Sequence, residues 1–77
     1  MTIDNYFYMA DSIKDFQFVV RVLESVKTRE QMTTTERLFK NFKDKWVYKL
    51  DSIDMIEYIY QFNDRKEELV KNNKLFQ

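Results

Sequence analysis

The chain contains neither glycine nor proline, although average usage would place roughly nine of the two together in a chain of this size. That absence constrains the fold more than any residue present. Tight β-hairpin turns rely on residues with positive φ, usually glycine. Phosphate-cradling loops rely on glycine as well. Neither device is available here, so chain reversals must come from helix ends and their capping side chains. The sequence therefore predicts an all-α protein, a small antiparallel bundle of three to four helices.

Cysteine and histidine are also missing. This excludes disulfides, thiol nucleophiles, zinc-finger ligand sets and the imidazole-dependent catalytic triads. Carboxylates are the remaining acid–base candidates, and Asp51 with Asp54, or Glu67 with Glu68, read as helix caps and solvated faces. The expectation is a non-enzyme that needs no cofactor and no metal. The 77 residues read as a single helical domain, 1–77, with a thin core. Seven Phe, five Tyr and one Trp are the means of filling it. Met1–Tyr6 lacks the charged and apolar regions of a leader peptide, and no apolar run is long enough to span a bilayer. The expected location is the cytoplasm, with no membrane partner.

Asp11–Ser12 followed by Asp15 reads as a helix start, with Ile13, Phe16, Val20 and Leu23 at helical spacing behind it. Residues 2–10, including Tyr6, Phe7, Tyr8 and Met9, are read either as a short helix or as an extended segment over the bundle. Thr28-Arg29-Glu30-Gln31 is a capping box, so the first helix should end near Val26 and the second begin at Arg29. Thr33 with Glu36 forms a competing box. Thr28 is preferred because Met32, Thr35, Phe39, Phe42 and Trp46 then make one continuous core face. Asp51–Ser52 opens a last helix, because Asp54, Glu57 and Gln61 fall on one helical face rather than alternating as in a strand. Asn63–Asp64 reads as an interruption of that helix, with Leu69, Val70 and Phe76 continuing the apolar pattern beyond it.

Two surfaces draw functional readings. Residues 37–50 carry five bases against Asp44 alone, a local charge of +4, while residues 1–36 and 51–77 each sum to −2 within a neutral chain. Arg37, Lys40, Lys45 and Tyr48 then share one face, a candidate for weak phosphate contact and base stacking. The same face also reads as solvated, with cations where the helix dipole favours them. The second surface is apolar. Phe18, Val22, Tyr58 and Phe62 lie off the centre of their helices' core faces. They are read either as covered by residues 2–9 or as a protein-docking patch.

The stretch Val22-Leu23-Glu24-Ser25-Val26-Lys27-Thr28-Arg29-Glu30-Gln31-Met32, with Glu36-Arg37-Leu38-Phe39, Phe42 and Trp46 following, resembles a helical-hairpin pattern of tailed-phage proteins. The family it is most similar to is the small domain associated with the phage UvsW recombination helicase. That resemblance covers about half the chain. It implies a small helical bundle without motor activity, similar to helicase-associated nucleic-acid-binding modules, and it carries no catalytic residue across.

The functional expectation is a non-catalytic, phage-encoded interaction protein that docks on a larger protein through an apolar helix face. The alternative is a weak, structure-selective nucleic-acid-binding accessory module of a recombination helicase. A homodimer that closes its own apolar faces is a third expectation.

Overall fold

A computed structural model describes residues 3–73 of the chain, with side chains described for residues 9–72. Three helices follow one another: α1 (Ile3–Glu24), α2 (Arg29–Trp46) and α3 (Ser52–Asn73). No strand occurs among the described residues. The helices pack antiparallel in sequence into a rod 48 Å long and 17 by 15 Å across. Asp15 meets Trp46, the last residue of α2. The N-terminal turns of α1 therefore run past the end of α2, since each residue adds about 1.5 Å of rise.

The first reversal is built by capping, as the lack of glycine requires. The Thr28 hydroxyl accepts from the Gln31 backbone N–H at 3.1 Å, and Thr28 itself is extended at φ −133° and ψ 162°. The Gln31 side chain reaches back and accepts from the Lys27 N–H at 2.6 Å. A usual capping box would return that bond to the cap residue itself; here it falls one residue earlier. Thr33, the competing start, lies inside α2 and donates its hydroxyl back to the Arg29 carbonyl. At the other side of the turn, α1 ends at Glu24, two residues before Val26. Ser25 and Val26 close it with N–H bonds to the Val22 and Leu23 carbonyls, a three-residue tightening that needs no left-handed residue. Val26 then folds into the core.

Two expected boundaries are corrected. Asp11–Ser12 does not start a helix, because α1 is continuous from Ile3. Ser12 is fully buried; its hydroxyl donates to the Met9 carbonyl at 2.8 Å and lies 3.0 Å from the Tyr58 hydroxyl. Ser12 thus belongs to the buried stripe of Phe16, Val19 and Leu23 and caps nothing. Residues 3–10 are accordingly helix and extend α1 away from Phe18, so they do not fold back over it. Asn63–Asp64 does not interrupt α3 either. The intrinsic helix cost of Asn and Asp is only about 0.7 kcal/mol each, and Phe62, Leu69 and Val70 pack against one core across both residues. Phe76 lies outside the described residues.

The core is aromatic. Phe16 of α1 meets Phe39 and Phe42 of α2 at ring-centre distances of 6.2 and 5.6 Å, and Tyr58 of α3 at 4.6 Å. Phe39 stacks on Phe62 of α3 at 4.1 Å, and Phe42 meets Tyr58 edge-on at 5.2 Å. Met32, Thr35, Phe39, Phe42 and Trp46 are all buried on one face of α2. Replacing Thr28 by Ala removes the cap acceptor on which the first turn depends. The expected loss is about 1 kcal/mol, read as a lower urea midpoint with an unchanged slope.

Candidate docking site

The third helix covers only one side of the α1–α2 pair. On the other side a groove stays open between those two helices. Its lower part has a volume of about 200 Å³ and is lined by Phe18, Val19, Leu38 and Phe42, with Asp15, Asn41 and Lys45 as its polar members. Its upper part is bounded by Val22, Val26, Thr34 and Thr35. Phe18 stands at the edge of this groove with 56% of its surface exposed. Val22 follows one turn later, half-buried on the same side.

The four apolar residues singled out in the sequence therefore separate. Phe18 and Val22 line the open groove. Tyr58 is half-buried, packed on Phe16 and Phe42 and bonded to Ser12. Phe62 is only 2% exposed and stacks on Phe39. Phe62 is thus a core residue and forms no docking surface; the apolar arc of α3 is wide, and stacking on Phe39 of α2 places Phe62 in its buried part.

The basic face also comes apart. Arg37 and Lys40 are exposed on the outer side of α2. Lys45 turns the other way, with its ammonium 2.8 Å from an Asp15 carboxylate oxygen. Tyr48 is 96% exposed but sits in the turn after α2, beyond its last residue, Trp46. Asp44 lies between Arg37 and Lys40 on the helical wheel and lowers the local potential.

At the foot of the groove, Asp15 holds α1 to α2. One of its carboxylate oxygens accepts from the Lys45 ammonium and, at 2.9 Å, from the Trp46 indole N–H. The Lys45 hydrogen bond holds the Asp15 carboxyl below its ordinary value of 3.8; partial burial opposes this, and the Trp46 bond and the Lys45 charge reinforce it. Lys45 and Lys49 carry their ammonium groups 5.1 and 5.4 Å from the Trp46 ring, within cation–π range.

One surface escaped the sequence reading. Ile53, Ile56 and Tyr60 form an exposed stripe on the outer face of α3, with Ile53 79% and Tyr60 63% exposed. Their spacing of three and four residues was the available signal. It was masked by the apolar residues of the same segment that do enter the core. Among the described residues, no cluster of His, Cys, Asp and Glu is arranged to hold a metal ion, and no helix is long and apolar enough to cross a membrane. No protein-family model, curated protein or solved structure matches the chain.

The Asp15 tie has a pH signature. A carboxyl whose native pKa is depressed contributes stability in full above its unfolded pKa. That contribution is lost as pH falls through the lower native value. In urea unfolding from neutral pH downwards, the wild type should exceed Asp15→Asn at neutral pH. The difference should shrink only below about pH 4. A pH-independent difference would mean that the Asp15 charge is not what holds the contact.

Proposed function

We propose that this is a small non-catalytic interaction protein that receives an amphipathic helix of a larger protein in its α1–α2 groove. The observation that carries the reading is Phe18, a large aromatic left over half exposed beside an apolar floor of Val19, Leu38 and Phe42. Three helices leave one side of such a pair uncovered, and a fourth helix laid there would complete a four-helix bundle. Helix-in-groove recognition uses apolar anchors three and four residues apart against a groove of this kind. The polar members Asn41, Asp15 and Lys45 supply a rim that fixes orientation.

Cross-linking in the cells that make the protein tests this reading. The wild type should capture a discrete larger protein, and Phe18→Asp should lose it while melting within a few degrees of the wild type, as an exposed site allows. Phe62→Ala is the contrast: it should cost about 3–5 kcal/mol by opening the core. Undiminished capture by Phe18→Asp would remove the groove from the mechanism.

A second reading, weak nucleic-acid binding, draws on Arg37 and Lys40, which form no ion pair among the described residues, and on the exposed ring of Tyr48. It is also what the resemblance to the helicase-associated domain implies. With Lys45 held by Asp15, few cations remain for phosphates, so binding should be weak and should fall steeply with salt. Titration of branched and single-stranded DNA at low salt decides it. No binding there, or binding unchanged by Arg37→Glu with Lys40→Glu, ends this reading.

A further inference from the structure

Two exposed faces of the molecule match one another. On α1, Lys14 and Arg21 stand seven residues apart along one edge, with Phe18 between them and beside that edge. On α3, Glu57 and Asp64 stand seven residues apart along one edge, with Tyr60 between them. Each pair spans two helical turns, about 10.5 Å. All six side chains are exposed. Lys14, Arg21, Glu57 and Asp64 form no ion pair among the described residues. The matching edges are also of opposite hand. At about 100° per residue, the cations lie on the lower-angle side of Phe18 and the acids on the higher-angle side of Tyr60. Two helices laid side by side bring edges of opposite hand together when they run parallel, as e and g positions do in a parallel coiled coil.

We propose that the α3 face of one copy docks on the Phe18 face of α1 in a second copy. The two helices run parallel, with Glu57 opposite Lys14, Tyr60 against Phe18 and Asp64 opposite Arg21. In this register Ile53 and Ile56 fall toward the foot of the second copy's groove, where Val47 is exposed. The contact uses different surfaces on its two sides, so it is heterologous: each copy keeps one free α1 face and one free α3 face, and growth continues unless a ring closes. The inference rests on reading Phe18 as a docking residue, and it gives that site an occupant. A larger protein's helix then competes with the second copy for the same aromatic. The interface is a single helix pair bordered by exposed charges, which sets it at the weak end of protein contacts and makes it sensitive to salt.

Sedimentation velocity on the full chain tests the proposal. The average mass of the wild type should rise with concentration and fall back toward the monomer as salt is added. Phe18→Asp and Tyr60→Asp should each be monomeric alone, with helical content and melting unchanged, because both side chains are exposed. Mixed in equal amounts they should form a dimer and nothing larger, since only one complementary pair of faces survives. The charge-swapped proteins K14E/R21E and E57K/D64K should likewise be monomeric alone and associate when mixed. A wild type that stays monomeric at every concentration overturns the proposal. So does a Tyr60→Asp protein that still self-associates, which would mean a like-with-like contact, and so does a mixture that stays monomeric. Loss of partner capture in Phe18→Asp beside a monomeric wild type would retain the groove and dismiss only the second copy as its occupant.

Discussion

Phe16 touches both other helices, and the rest of the bundle is arranged around that contact. A three-helix chain of this size has little apolar surface to bury, and without cysteine or histidine it has neither a disulfide nor a Cys/His zinc site to supplement it. One aromatic ring shared among Phe39, Phe42 and Tyr58 lets a single side chain of α1 fix the position of α2 and α3 together. The stacked pair of Phe39 and Phe62 then joins α2 to α3 directly. Aromatic residues suit this role because each buries a large area with few rotatable bonds, and tilted or edge-on pairs add attraction beyond area alone.

The polar contacts divide the work differently. Among the described residues an exposed ion pair crosses each pair of helices: Asp15 with Lys45, Glu24 with Arg65, and Glu36 with Lys66. Exposed pairs of this kind contribute about 0–1 kcal/mol, so they add little to stability. They do resist sliding, because a one-turn shift of any one helix separates two of the three at once. The part-buried bond between Ser12 and Tyr58 has the same effect at the edge of the core, since displacing it costs a hydrogen bond there. The open groove follows from this geometry. With α3 packed on one side, Phe18 stays exposed and Leu38 half-buried on the other, above the buried Val19 and Phe42.

What the sequence made legible was the part carried by local chemistry. The Thr28 cap and the stripe from Met32 to Trp46 could be read because both depend on residues within a few positions of each other. The Asp11–Ser12 and Asn63–Asp64 signals misled for one reason. Small polar residues are written at helix ends and also at buried or exposed positions within helices, and only the partner decides between them. Ser12 faces Tyr58, 46 residues away, a contact no local pattern encodes. Phe62 reads as off-centre within a wide apolar arc, and only its stacking on Phe39 of α2 places it in the core. Phe18 is exposed and Val22 half-buried, because their angular position depends on α1 alone. The Ile53, Ile56 and Tyr60 stripe went unread because Met55, Tyr58, Ile59 and Phe62 interleave with it in one apolar segment, and only the partner helices separate the two sets.

Charge partition links these surfaces. The chain is neutral as a whole, yet its middle segment is +4 and its flanks −2 each. Folding redistributes that pattern. Lys45 is drawn back to Asp15, which leaves Arg37 and Lys40 as a reduced basic patch on the outside of α2. The acidic last segment becomes the outer face of α3, with Glu57 and Asp64 beside an apolar stripe, while Lys14 and Arg21 of the nominally acidic first segment border Phe18. Opposite charges thus end up on separate exposed faces, each next to a large apolar side chain. Charges so divided act on a neighbouring surface only at short range, because screening removes the field beyond about 8–10 Å and only matched edges gain from contact.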